Sequence, residues 1–335
     1  MRKACFSVIM AILTGVSLLS LTACGSKAKA SELTPVKLNE VAHSIFYAPQ
    51  YAAIELGYFE DEGIDLTLVN GAGADKVMTA LISGDADIGF MGSEASVYTY
   101  ANGSQDYAVN FAQLTQRAGN FLVGRSKQPD FKWSDLKGKK VLGGRAGGMP
   151  EMVFEYILKK NGIDPAADLK IDQSINFGLT AAAFTSNDAD YTVEFEPFAT
   201  GLEKEGNGFV VASLGVDSGY IPYTAYSAKK SYLEKNPETV QNFTNAIQKG
   251  LEYVNSHSSE EIAKVIQPQF KETDVKTIAA IVDRYKAQDT WKKDTVFNKD
   301  SFELLENILE EAGQLKDRVP YAELVTTEFS EKAAK

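Results

Sequence analysis

Glu194 and Glu196 stand two residues apart in Tyr191-Thr192-Val193-Glu194-Phe195-Glu196, and alternate residues of a strand share one face. Two carboxylates brought together in that way could act on a sugar. A charged pair at a strand end serves equally as a solvated edge or a ligand contact, so the pair alone does not define an enzyme. Other catalytic constellations are missing. His43 and His257 are the only histidines, no His-Glu-x-x-His helix occurs, and no cluster has zinc spacing. There is no Gly-x-Ser-x-Gly elbow. Gly143-Gly144-Arg145-Ala146-Gly147-Gly148 lacks the Gly-Lys-Ser/Thr end of a phosphate loop, and its glycines miss the dinucleotide spacing. What remains is a pocket without catalytic machinery, so no enzyme, cofactor or metal is expected.

The groups that look functional lie in three loops at the carboxyl ends of expected strands, where open α/β sheets bind ligands. Ala42-His43-Ser44-Ile45-Phe46-Tyr47-Ala48-Pro49 places His43, Phe46 and Tyr47 ahead of a helix whose first N–H groups are free. The same residues also fit a core role for Phe46 and a capping role for His43. Gly92-Ser93-Glu94 opens a second helix, with Ser93 equally suited to be its N-cap. Gly147-Gly148-Met149-Pro150 opens a third, with Pro near the first turn and bare backbone N–H groups that capping alone would also explain. His257, in Asn255-Ser256-His257-Ser258-Ser259, reads as a helix terminus that caps or faces solvent.

Those loops need a frame. Period-two alternation marks a strand over residues 36–41, and further strands are expected at 64–69, 88–91 and 109–114. A second series runs through 121–123, 141–142, 169–171, 191–193 and 209–212, with a last strand at 224–227. Helical patterns fill the intervals, which predicts βαβ units, a mostly parallel sheet and an α/β class. Beyond it Val240, Phe243, Ile247, Leu251 and Val254 form one apolar helix face, as do Phe302, Leu305, Ile308 and Leu309. The chain is expected to cross between two lobes near residues 116–121 and to return near 214–224. Residues 36–116 with 222–335 make lobe one, 117–221 make lobe two, and the helical tail packs on lobe one.

A length of 335 residues, with 44% hydrophobic and 24% charged, suits two globular lobes. The formal net charge of -11 argues against a nucleic acid partner, whose affinity rests on Lys and Arg neutralising phosphates. Only Cys5 and Cys24 occur, which excludes a disulfide scaffold or a Cys-rich metal module. Arg2 and Lys3 precede an uncharged apolar run over residues 4–21, the layout of a secretory signal. Leu21-Thr22-Ala23-Cys24 resembles a bacterial lipobox. That likeness implies removal of residues 1–23 and a lipid, palmitate among its acyl chains, on Cys24. Residues 24–35 are small and polar and read as a flexible tether. The protein is expected on the extracytoplasmic face of a cell membrane, held by lipid and not spanning it.

Ile45-Phe46-Tyr47-Ala48-Pro49-Gln50-Tyr51-Ala52-Ala53, followed by Gly57-Tyr58-Phe59 and Glu62-Gly63-Ile64, resembles solute-binding proteins of ABC importers. The likeness is to the type 2 periplasmic-binding-protein superfamily, in the nitrate/taurine/alkanesulfonate and thiamine-pyrimidine-precursor group. Gly84-Asp85-Ala86-Asp87-Ile88-Gly89, Trp133-Ser134-Asp135-Leu136-Lys137-Gly138-Lys139 and Glu196-Pro197 continue it, over nearly the whole chain beyond residue 36. The resemblance implies a two-lobed fold with a ligand cleft between lobes and a C-terminal helical tail on lobe one. It also implies a monomer that closes on a small molecule and presents it to a membrane permease driven by a cytoplasmic ATPase, and the lipid tether suits a Gram-positive importer. Matching loops place His43, Phe46, Tyr47, Ser93 and Glu94 at the ligand from lobe one, and Gly147, Gly148, Met149, Asn176, Phe177 and Glu196 from lobe two. Thr115, Arg117 and Tyr223 lie near the crossings.

Phe46, Tyr47, Phe177 and Tyr223 suit stacking on a flat ring, and carboxylates at Glu94 and Glu196 suit amino groups on a heterocycle such as an aminopyrimidine. A sulfonate would instead want Arg, Ser and backbone N–H groups, for which Arg117 or Arg145 could serve. The heterocycle is preferred, with an alkanesulfonate or another anion as the alternative. A fungal thiamine-pyrimidine synthase also shares the likeness, but it depends on a Cys-rich segment that this chain lacks beyond Cys24. Trp133 reads as structural.

Overall fold

The computed structural model describes residues 33–175 and 177–335, with the side chain of Phe177 left out. The signal, Cys24, most of the tether, Asn176 and the Phe177 side chain therefore lie outside the described residues.

Ten strands form two five-stranded sheets. The first is built from β1 (Thr34–Glu40), β2 (Ile64–Asn70), β3 (Ile88–Met91), β4 (Ala108–Thr115) and β10 (Thr224–Lys229) in the order β2-β1-β3-β10-β4. The second takes β5 (Phe121–Gly124), β6 (Lys140–Leu142), β7 (Lys170–Asp172), β8 (Tyr191–Glu194) and β9 (Phe209–Ser213) in the order β7-β6-β8-β5-β9. Each strand falls within a few residues of its sequence expectation. The sheets are mixed, however. β1 pairs in parallel with β2 and β3, and β6 with β7 and β8, but β10 and β5 run antiparallel to both neighbours. The reason is topological: β5 and β10 begin at the crossings, where their neighbours end.

The two crossings lie side by side. Ile221 N–H donates to Gln116 O at 3.0 Å and Leu214 N–H to Asn120 O at 3.1 Å, while Thr115 and Thr224 join through their hydroxyls. In the first sheet, Phe90 stacks on Tyr226 at 4.3 Å within a core that includes Leu38, Phe111 and Phe243. Of the tail helices, Pro237–Ser256 lies on Ala48–Glu55 and against Glu328–Ala333, so it covers the first sheet. The tail also reaches the second lobe. Helix Lys299–Glu311 packs on Met149–Lys160, and Val275–Ala287 sends Arg284 to Glu196 and Glu203. Among the described residues no helix is long and apolar enough to cross a membrane.

Candidate ligand-binding cleft

Between the sheets lies a cavity of about 610 Å³. From the first sheet it receives the loop after β1, Asn70 and residues 72–76 after β2, Gly92 and Glu94 after β3, and Tyr223 with Thr224 at the return crossing. The second sheet contributes Arg145, Gly148 to Pro150, Gly178, Leu179, Phe195, Glu196 and Phe198. These are ends of strands and starts of helices, the places where open α/β sheets present backbone N–H groups.

Phe46 anchors the aromatic wall. Its ring lies 5.1 Å from Tyr47, 5.7 Å from Tyr223 edge-on and 6.0 Å from Phe195, so rings from both lobes meet there. It also rests on Gly119 in the first crossing, where an added Cβ would come within 2.7 Å of the ring. The backbone of the crossing can approach that closely only without a side chain. Leu179 and Phe198 stand exposed at the rim. Phe46 is buried in the core and is also among the residues that line the cleft.

His43 reaches the cavity with both ring nitrogens committed. Nδ1 meets buried Glu40 at 2.8 Å and Nε2 meets Gln269 O at 2.9 Å. Gln50 Nε2 and Tyr51 OH also donate to Glu40, at 2.7 and 2.8 Å. The Glu40 hydrogen bond, with the carbonyl of Gln269, holds the His43 pKa above 6.5 against the opposing effect of burial. His43 ties β1 to the tail through Glu40 and Gln269.

The carboxylates divide sharply. Glu196 receives Arg284 at 2.5 Å and both the N–H and hydroxyl of Thr200 at 2.9 Å, so its buried carboxylate is already satisfied. Burial still raises its pKa, opposed by Arg284 and Thr200. Glu194 accepts from Thr192 at 2.6 Å and Thr180 at 3.0 Å, in a separate network, with burial pushing it up to about 7. The expected Glu194–Glu196 pair does not converge on a common space, because Glu196 lies past the end of β8 and turns to the tail. Glu94 differs: it is 4% exposed and its Oε2 has no hydrogen-bond partner. Burial pushes its pKa up to about 7, moderated only by the amides of Glu94 itself and of Met149 across the cleft.

Of the residues expected from sequence, His43, Phe46, Tyr47, Glu94, Gly148, Met149, Glu196 and Tyr223 line the cavity together. Ser93 does not. It is buried, its hydroxyl donates to Pro222 O, and it makes no side-chain cap. Thr115 is buried, its hydroxyl joined to that of Thr224 between the two crossings. Arg117 donates to Gly215 O at 2.9 Å and stacks over Tyr220 at 4.1 Å, away from the cavity. Gly147 turns at φ +76° beside the lining, its N–H given to Glu151 at 3.0 Å. His257 stacks on Tyr253 at 3.8 Å at its helix end, as expected. Sequence reasoning missed Asn70, residues 72–76, Leu179, Phe195 and Phe198. The strand-end rule applied to β2, which leads into Gly71-Ala72-Gly73, would have found the first group.

Two mixed sheets, paired crossings and a cleft at their strand ends define the type 2 periplasmic-binding fold. The alkanesulfonate-binding protein SsuA from Xanthomonas axonopodis pv. citri, solved bound to MOPS, shares it with a TM-score of 0.68 at 17% identity, covering 88% of this chain and 99% of that one. Residues 45–261 match the family described as NMT1/THI5 like, and the chain belongs to that family. It is 46% identical over 300 residues, 90% of both chains, to YtlA of Bacillus subtilis strain 168, whose assigned role is that of a candidate binding protein. It is also 26% identical over 231 residues to the 4-amino-5-hydroxymethyl-2-methylpyrimidine phosphate synthase THI11 of Saccharomyces cerevisiae, covering 62% of this chain and 63% of that protein. Among the described residues, no group of three or more His, Cys, Asp or Glu could hold a metal.

Proposed function

We propose that the protein is the solute-binding component of an ABC importer, a binder and not an enzyme, that captures a small heteroaromatic molecule of the thiamine-pyrimidine kind. The observation that carries the ligand class is the aromatic wall: Phe46, Tyr47, Tyr223 and Phe195 converge on one cavity from both lobes. Flat rings gain from offset or edge contacts with such a wall. The likeness to YtlA supports a binder, and the synthases named for a pyrimidine product make that ring type a natural first probe. Residues 36–116 with 222–335 move as one lobe and 117–221 as the other, about the crossings joined by Thr115 and Thr224. Ligand shifts the equilibrium by binding the closed state better. The closed form, a monomer, docks on a permease served by a cytoplasmic ATPase. Lipid on Cys24 keeps it at the outer face of the membrane.

A second reading has its own observation. Arg145 and Lys76 line the same cavity, and SsuA of this fold is an alkanesulfonate binder, so an anion is the competing ligand. Thermal-shift screening of the full chain against aminopyrimidines, alkanesulfonates, nitrate and riboflavin separates the two. Stabilisation by the heterocycles is expected; stabilisation by sulfonates alone would transfer the assignment to the anion. A Cys24→Ser variant found in the membrane fraction as fully as the parent would overturn the lipid anchor.

A further inference from the structure

Most polar groups at this cleft are spoken for. Glu40 has three donors, Glu196 is held by Arg284 and Thr200, and the Tyr223 hydroxyl donates to Asn120 at 2.8 Å. Glu94 Oε2 is the exception, buried and unpartnered on the wall of the cavity. Leaving a carboxylate oxygen out of water with no donor is costly, and the cost is relieved either by a proton held on the group or by a donor brought from elsewhere.

We infer that Glu94 is the specificity-determining residue of the cleft: its Oε2 accepts a hydrogen bond from a positively charged or N–H-donating group on the ligand and turns anions away. The inference rests on the solute-binding reading above and sharpens it, since it selects amino-heterocycles and other flat organic bases over sulfonates, nitrate and carboxylates.

The surroundings fit that role. Tyr47 and Tyr223 line the same cavity as Glu94, and Tyr98 lies one turn further along the Glu94 helix. Burial holds all three phenols protonated, so none competes as a charge. Glu40 is a further negative group behind Tyr47. The backbone N–H of Met149 looks at the carboxylate from the start of the helix Met149–Lys160 in the other lobe. Lys76 and Arg145 line the same cavity, yet Arg145 is turned to Asp75 at 3.4 Å, and among the described residues neither forms an ion pair with Glu94. Oε2 is therefore left without a donor or a counter-ion, and a ligand bringing a cation would find it uncompensated. A charge-assisted bond formed there, out of water, is of the stronger kind. Lobe closure places Met149 and the ligand's donor on the same carboxylate, which links occupancy to the closed state.

The test is isothermal titration of the full chain and its Glu94→Gln variant with aminopyrimidine, amine-free pyrimidine and methanesulfonate at pH 8. Aminopyrimidine is expected to bind the parent and to bind Glu94→Gln about ten- to a hundredfold more weakly, the scale of one charge-assisted hydrogen bond. Methanesulfonate should bind only the variant. The ligand-free variant should melt higher than the parent at pH 8, which confirms its folding independently of any ligand. Aminopyrimidine bound equally by both, or methanesulfonate bound by the parent, overturns the role of Glu94 while leaving a solute binder in place. Binding of no probe by either protein, tested also with riboflavin and nitrate, overturns the solute-binding reading itself.

Discussion

Arg284 donates to the Glu196 carboxylate at 2.5 Å and, through its other terminal nitrogen, to Glu203 at 2.6 Å. A residue of the C-terminal tail thus grips the end of a second-lobe strand, and a carboxylate that faces the cleft in sequence terms is spent on holding the lobes to the tail. Ser44 adds to the same junction, its hydroxyl donating to Glu196 O at 3.0 Å.

Glu196→Ala is expected to lower stability by about 3 kcal/mol, because it leaves a partly buried guanidinium without its main partner. The affinity for ligand should change little. Denaturant midpoints alongside ligand titration check this; a large loss of affinity at unchanged stability would return Glu196 to the ligand.

Glu94 sets a pH dependence whose sign can be stated. Its folded pKa of about 7 lies above the ordinary 4.5, so the folded state holds the proton longer than the unfolded chain. Stability from this group is greatest below pH 4.5 and is lost as pH rises towards 7. The loss is about 3 kcal/mol at most. Tyr47, Tyr98 and Tyr223 stay neutral throughout that window, and other raised acids such as Glu194 and Glu151 cancel in a difference. Glu94→Gln minus parent should therefore be near zero at acid pH and favour the variant above pH 7. A flat difference across the range would contradict the buried, unpaired carboxylate.

His43 has the opposite sign. Its pKa is raised by the hydrogen bond to Glu40, so the stability it contributes is fully present below pH 6.5 and fades as pH climbs through the raised value. A proton NMR titration should place His43 above 6.5, and Glu40→Gln should bring it down. A His43 titrating at or below 6.5 in the parent would contradict the stabilising effect of Glu40 and Gln269 on its protonated form.

Gly119→Ala should destabilise by about 1–3 kcal/mol, since the new methyl meets the Phe46 ring in a full core. Because the crossing also supports Phe46 in the cavity wall, affinity should drop as well. Melting temperature and ligand titration report the two effects separately.

Much of the frame is legible in the sequence because its signals are local. Ten strands follow from short β-type runs punctuated by glycine and helical periodicity, and Gly148, Met149 and Glu94 fall at helix starts that a strand-end rule picks out directly. The direction of β5 and β10 was not legible, since it depends on which end of each sheet meets the crossings. Ser93 and Thr115 illustrate another limit: their hydroxyls are claimed by Pro222 O and by Thr224, partners 129 and 109 residues away. Arg117 likewise folds onto Tyr220 instead of the cleft.

The sequence by itself determined where the strands fall along the chain, the loops that could meet a ligand and the acids at Glu94 and Glu196, because periodicity, turn residues and helix starts act over a few residues. Only the tertiary structure decided which acid is free. Glu40, Glu94 and Glu196 all stand at strand ends or helix starts, but Glu196 is satisfied by an arginine 88 residues away and Glu40 by the helix and turn that follow β1. Glu94 is the one of the three that no cation folds back to meet. Charge compensation is decided by what long-range packing brings within hydrogen-bond reach, and that distance is not written in any local run of residues.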